Sequence, residues 1–103
     1  MRKILCCSTK VNFQEYLPPG LLEDFKQRWN AEEVIFRTFM VDNEFNSDID
    51  WEEVKKEGVV TVVLCDNPHP NTLHNFFQEA VFTANLPAFW YSRSNLFEMK
   101  PTR

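Results

Sequence analysis

Val59-Val60-Thr61-Val62-Val63-Leu64-Cys65 is apolar almost without alternation, and this segment is the strongest indication of the fold class. A strand buried on both faces has this composition, and such strands occur mostly in parallel sheets covered by helices. Residues Ile4 to Cys7 predict a second short buried strand. Two further strands are predicted over Val34 to Val41 and over Ala88 to Tyr91, which are rich in β-branched or aromatic residues.

Helical patterns lie between the predicted strands. Apolar residues at helical spacing predict an amphipathic helix over residues 20–29. A second helix of about two turns is expected to begin after Asp50, with Glu53 completing a capping box. A third is expected to be capped by Asn71 and to end near Asn85, a plausible left-handed residue.

The order β-α-β-α-β-α-β predicts a single small α/β domain over residues 1–103, with a mainly parallel four-stranded sheet flanked by helices. Leu96 to Met99 can turn back as a short antiparallel edge strand. A doubly wound strand order would place the first strand beside the third. Their carboxyl ends would then form the crevice in which open α/β sheets bind ligands.

Composition excludes several function classes. The chain has only two glycines, whereas phosphate-binding loops and nucleophile elbows need closely spaced glycines. Its three cysteines, an odd number, fit no disulfide framework and favour reduced thiols. No apolar run approaches the length of about 18 residues that spans a membrane. We therefore expect a cytoplasmic protein with no membrane contact, and no cofactor is indicated.

Negative charge is concentrated in residues 42–57, which contain seven carboxylates and only two lysines. Such a segment repels phosphates and suits a basic protein surface, so we expect a protein partner and no direct contact with nucleic acid. Trp90 and Phe97 would add apolar anchors. The leading hypothesis is a small binding or inhibitory module, acting for example on the basic groove of a nucleic-acid-handling protein. Its expected acidic contacts are Asp42, Glu44, Asp48, Asp50, Glu52 and Glu53.

The alternative is a small-molecule-binding or enzymatic site at the carboxyl ends of the strands. The predicted topology brings Cys7 and Lys10 close to Asp66 and His69. A thiol beside Lys10 could act as a nucleophile, with Asp66 or His69 as its proton partner. Packing is the competing explanation for the cysteine, which is among the most buried residue types.

A third interpretation is a calcium site, because residues 42–53 resemble a twelve-residue EF-hand loop. The resemblance would make Asp42, Asn46, Asp50 and Glu53 oxygen ligands, with the glutamate at the last position. The loop departs from that pattern at Ser47, where EF-hands have the glycine of the sharp turn.

The segment from Asp66 to Pro87 resembles the α/β proteins related to nucleoside deoxyribosyltransferases. In that family a glycine stands where Asn71 does, and a catalytic glutamate stands where Asn75 does. Glu79 lies one turn later. The resemblance therefore implies a shared architecture and not the family's reactive group.

Overall fold

The sheet of the computed structural model, which describes residues 1–99, contains five strands. They are β1 (Lys3–Ser8), β2 (Glu33–Thr38), β3 (Val59–Leu64), β4 (Ala88–Ser92) and β5 (Asn95–Met99). Their order is β2-β1-β3-β4-β5; the first four are parallel, and β5 pairs antiparallel with β4. The predicted α/β fold is confirmed, including the first strand beside the third and the antiparallel edge. Residues 100–103 of the predicted domain lie outside the described residues.

Strand position follows the distribution of apolar side chains. Residues 4–7 of β1 and residues 62–64 of β3 are buried, as expected for strands with neighbours on both sides and helices on both faces. The predicted strand over Val34 to Val41 is shorter in the structure, because the chain leaves the sheet after Thr38. There the backbone N–H of Phe39 donates to the carbonyl oxygen of Ser8 at 3.0 Å.

The first two helices begin and end largely as their sequences predict. Helix α1 (Pro19–Trp29) has a proline in its first turn, where no N–H is needed. Helix α2 (Trp51–Lys56) is capped by the Asp50 carboxylate, which accepts from the N–H of Glu53 at 3.3 Å. Gly58 has φ 90°, and a Cβ there would collide with the backbone of Met1. No other residue type would allow the chain to enter β3 this way.

The third helix, α3 (Pro70–Phe77), begins two residues earlier than predicted. Its cap is His69, whose Nδ1 accepts from the N–H of Asn71 at 3.1 Å, so the expected cap by Asn71 is wrong. The helix continues as a π-helical turn over Gln78–Thr83, and Asn85 follows with the predicted left-handed φ of 56°. Across residues 1–99, each helix is too short or too polar to cross a bilayer.

Helices on the two faces of the sheet enclose two separate cores. Helix α1 covers one face, and α2 and α3 cover the other. The core under α1 includes Ile4, Cys6, Phe13, Phe25, Val63, Cys65 and Phe89. The core under α2 and α3 includes Leu5, Cys7, Phe39, Trp51, Val54, Val62, Leu64, Phe76 and Ala80. Because side chains alternate along a strand, neighbouring cysteines 6 and 7 belong to different cores.

Candidate functional site

A cavity of about 470 Å³ opens where β1, β3 and β4 end, on the face of the sheet that α1 covers. This is the predicted crevice between the carboxyl ends of the first and third strands. Its polar and aromatic lining comes from the loops after these strands and from the 3₁₀ turn Phe13–Tyr16. The lining includes the polar, charged and aromatic residues Lys10, Tyr16, Asp66, Asn67, Tyr91 and Arg93.

Asp66 fixes the back of the cavity. One of its carboxylate oxygens accepts from both the backbone N–H and the hydroxyl of Thr9, at 2.9 and 2.5 Å. Its other carboxylate oxygen accepts from the N–H of Asn67 at 2.8 Å, and its carbonyl oxygen accepts from the indole N–H of Trp90 at 2.8 Å. The side chain is only 7% exposed, and these N–H and O–H donors compensate its burial.

Two cationic residues line the cavity, one from the loop after β1 and one from the turn after β4. Lys10 follows β1, where its backbone N–H donates to the hydroxyl of Ser8 at 3.1 Å. Arg93 lies in the two-residue turn between β4 and β5, where both Arg93 and Ser94 have left-handed φ values of 50° and 67°. Among residues 1–99, Asp66 is the one carboxylate that lines the cavity, beside the two cations Lys10 and Arg93, so this lining has a net positive charge.

Aromatic rings form much of the remaining wall. Phe13 is buried and anchors the 3₁₀ turn, and its ring packs edge-on against Phe36 at 5.9 Å. At the other end of that turn, Tyr16 is 83% exposed at the rim. Tyr91 is half-buried on β4. The cavity therefore has a mixed lining of rings and cations.

The structure separates two of the four predicted site residues from this cavity. Lys10 and Asp66 line it, but Cys7 points into the opposite core, and burial raises the pKa of its thiol well above the usual range. His69 caps α3 and stacks on Phe45 at 4.4 Å, beside a shallower cavity of about 390 Å³. The expected grouping of Cys7 and His69 with the other two is wrong, because it ignored the alternation of side chains in β1 and the course of the loop before α3.

Carboxylates of the acidic segment order its backbone. Asp42 Oδ1 accepts from the N–H groups of Glu44 and Asn46 at 2.8 and 2.9 Å, and these bonds hold the pKa of the Asp42 carboxyl below its usual value. Asp48 Oδ1 accepts from the N–H of Met40 at 3.0 Å. These contacts form a closed loop whose charged groups serve as local acceptors.

The proposed calcium ligands do not converge. Asp50 caps α2 through the N–H of Glu53, while Asp42 turns its carboxylate to its own loop. Throughout residues 1–99, no group of three or more His, Cys, Asp or Glu side chains is placed to hold a metal ion.

Helix α3 holds the acidic loop in place. Asn75 donates through Nδ2 to two backbone carbonyl oxygens of the loop at 3.1 Å and to Oδ1 of Asn46 at 3.2 Å. Glu79 accepts from the hydroxyl of Ser47 at 2.9 Å and from the indole of Trp51 at 3.3 Å. The two positions compared with the catalytic glutamate of the deoxyribosyltransferases therefore bind this loop and lie away from the cavity of about 470 Å³.

The two aromatic residues predicted as partner anchors pack against each other on the last two strands. Trp90 and Phe97 are cross-strand neighbours with ring centres 5.5 Å apart. Trp90 also donates to Asp66, as described above, whereas Phe97 is 45% exposed. These rings therefore lie on different elements from the acidic segment.

Several cavity residues are not predicted from the sequence, among them Tyr16, Asn67, Tyr91 and Arg93. These four come from the 3₁₀ turn, the loop after β3, strand β4 and the turn after β4, which only the tertiary fold brings together. The chain matches no protein-family model, no curated protein and no solved structure.

Proposed function

We propose that this protein is a small-molecule-binding domain and that its ligand is an organic anion held in the cavity between β1, β3 and β4. The observation that carries the proposal is that Lys10 and Arg93, from the loops after β1 and β4, line the same concave site. Its volume of about 470 Å³ lies in the range of roughly 300–1,000 Å³ typical of ligand pockets.

The charges of the site favour an anion. Asp66 already accepts from Thr9 and Asn67, so its negative charge is stabilised without a cation. Within residues 1–99, neither Lys10 nor Arg93 pairs with a carboxylate, and both side chains remain available to a ligand. Cations that converge on a partly enclosed site raise the local concentration of anions and strengthen their binding.

Binding is proposed here in preference to catalysis. The predicted nucleophile, Cys7, does not line this cavity, and neither does His69, one of its two predicted proton partners. The other, Asp66, lines the cavity, but its carboxylate already accepts from Thr9 and Asn67. Cys65 does line it, but is 8% exposed and packed in the core under α1.

A thermal-shift screen of anionic metabolites, each beside a neutral analogue, tests the proposal. We expect at least one anion to raise the Tm of the wild type and the double variant Lys10→Gln/Arg93→Asn to lose that response. Asparagine is chosen at position 93 because it tolerates the left-handed backbone. Lys56→Gln, which changes an exposed lysine of α2, is the control and should respond normally. An equal response to neutral analogues, or an undiminished response of the double variant, contradicts the proposal.

A second candidate function is recognition of a basic protein through the acidic segment 42–57. The observation that favours it is the attachment of the loop to α3 by Asn75 and Glu79, since a preorganised surface loses less entropy on binding. Glu44, Glu52 and Glu53 stay exposed on this segment.

An oligolysine peptide is the probe for this second function. The variant Glu44→Gln/Glu52→Gln/Glu53→Gln removes three charges and leaves the carboxylates that order the loop, Asp42, Asp48 and Asp50, in place. Glu15→Gln/Glu32→Gln/Glu33→Gln removes the same charge from exposed positions elsewhere. Only the first triple variant should weaken binding. Equal weakening by both would reduce the effect to net charge and contradict a specific acidic surface.

A further inference from the structure

We infer that the anion is a mononucleotide, with its base packed on the rings of Tyr16 and Tyr91 and its phosphate bound by Lys10 and Arg93. The inference rests on the proposed function and adds the identity of the organic part of the ligand. It follows from the combination of aromatic and cationic side chains in one cavity.

The exposed ring of Tyr16 is the first observation that supports a nucleotide base as part of the ligand. A tyrosine that is 83% exposed gains little from folding, yet its turn is held firmly by the buried Phe13 at the other end. An exposed ring on a fixed turn at the rim of a cavity presents a flat apolar surface at little cost in entropy. A planar ligand that stacks on it removes apolar area of both partners from water.

Tyr91 supplies a second ring to the cavity, from β4, whereas Tyr16 comes from the 3₁₀ turn. It is half-buried on β4, in the core under α1 together with Leu96, so its orientation is fixed by packing. Two aromatic rings in one cavity suit a planar base better than a sugar or an aliphatic acid, because stacking on aromatic side chains requires a π face.

The polar groups of the cavity match the rest of a nucleotide. The Arg93 guanidinium can bind phosphate with two parallel hydrogen bonds, and Lys10 adds a point charge. Asn67 uses Oδ1 to accept from Ser92 at 2.5 Å, which leaves its amide NH₂ as a donor toward base or ribose. The volume of about 470 Å³ lies near the lower end of the range for ligand sites, which fits one nucleotide better than a dinucleotide.

Isothermal titration of the full chain with AMP, GMP, CMP and UMP tests the inference. Ribose 5-phosphate lacks the base, and the four nucleosides lack the phosphate. We expect at least one mononucleotide to bind about tenfold more tightly than both ribose 5-phosphate and its own nucleoside.

Variants assign the effect to the rings. Tyr16→Ala should weaken nucleotide binding by about tenfold and leave ribose 5-phosphate binding unchanged. Tyr16→Phe and Tyr91→Phe keep the rings and should bind nucleotide within about twofold of wild type, since stacking needs the π face and not the hydroxyl. Because the Tyr16 side chain is mostly exposed, these variants at position 16 do not threaten the fold.

The outcomes separate this inference from the proposed function. If ribose 5-phosphate binds as tightly as every mononucleotide, the base contact is overturned and the anion site stands. If an aromatic carboxylate from the screen binds and no nucleotide does, the nucleotide is overturned and the anion site again stands. If no anion of any kind binds, both fail. Unchanged nucleotide affinity in Tyr16→Ala also overturns the role of the ring.

Discussion

Thr9 donates two hydrogen bonds to one carboxylate oxygen of Asp66, from its backbone N–H at 2.9 Å and from its hydroxyl at 2.5 Å. These bonds join the loops after β1 and β3, which are far apart in sequence. Through its carbonyl oxygen Asp66 also accepts from Trp90 of β4. One residue therefore connects the ends of three adjacent strands and gives the cavity a fixed back wall.

Replacing Asp66 with asparagine should lower the free energy of unfolding by about 1–3 kcal/mol. The amide offers one oxygen where the carboxylate offers two, so a donor of Thr9 or Asn67 loses its partner in a partly buried site. Urea denaturation measures the change. Thr9→Ser keeps both donors and should stay within about 0.5 kcal/mol of wild type. An Asp66→Asn protein as stable as wild type would show that the bridge contributes nothing.

Asn75→Ala should release the acidic loop from α3. The substitution removes the donor to the two loop carbonyls and to Asn46. We expect the free energy of unfolding to fall by about 1 kcal/mol. Hydrogen exchange at the amides of Glu44 and Asn46, which donate to Asp42, should become faster. Asn71→Ala changes an exposed asparagine of the same helix and is the matched control. Unchanged exchange in Asn75→Ala would contradict this role.

His69→Ala should cost about 1 kcal/mol of stability, because the N–H of Asn71 loses its acceptor at the start of α3. His69→Asn supplies a side-chain oxygen as a cap and should recover part of the loss. The remainder measures the ring contact with Phe45, for which about 0.5–1.5 kcal/mol is typical. If asparagine were no better than alanine in thermal unfolding, capping would not be the contribution of His69.

Stability should fall at alkaline pH because of the buried thiols. Burial raises the pKa of Cys7, and a hydrogen bond with Cys65 together with burial raises the pKa of Cys6. In the unfolded chain the pKa of these thiols is about 8.5. Their contribution is therefore complete below that pH and is lost above it, where the unfolded state binds fewer protons than the folded state.

Urea unfolding between about pH 7.5 and about pH 9.5 measures this loss. We expect a decrease of about 1.4 kcal/mol per buried thiol by about pH 9.5. In Cys7→Ala the starting stability is lower, but the decrease with pH should shrink by about half, since one of the two thiols is gone. The same decrease in both proteins would assign the effect to other groups.

Local signals predicted the fold well. The uninterrupted apolar run of β3 and the Asp50 cap of α2 each depend on neighbouring residues alone, and both predictions are confirmed. Of the predicted capping box, the structure shows the bond from the N–H of Glu53 to Asp50. The cap of α3 was misplaced from His69 to Asn71, because several residues at that turn can accept a backbone N–H and the sequence does not rank them.

The site was predicted less completely, for a topological reason. Lys10 and Asp66 were found because they directly follow the first and third strands. Tyr91 and Arg93 join them only because β4 lies beside β3, and adjacency of strands is a long-range property. The prediction that groups Cys7 with Lys10 and Asp66 leaves out the period-two alternation that places Cys7 and Cys6 on different faces of the sheet.

Strand β1 lies between β2 and β3, and this arrangement sets the order in which the chain can assemble during synthesis. Lys3 is paired with Glu33 on one side and Val59 on the other, so the first strand to be made waits for both partners. In parallel pairing of this kind, the chain loses the entropy of closing long loops before the contacts between strands stabilise it. Without β3, a pair of β1 and β2 would leave one edge of β1 open, and Cys6 and Cys7 would be exposed to oxidants and to other chains. Any pause in translation before residue 59 therefore prolongs the period in which the thiols that are most deeply buried in the folded protein are the ones most open to damage.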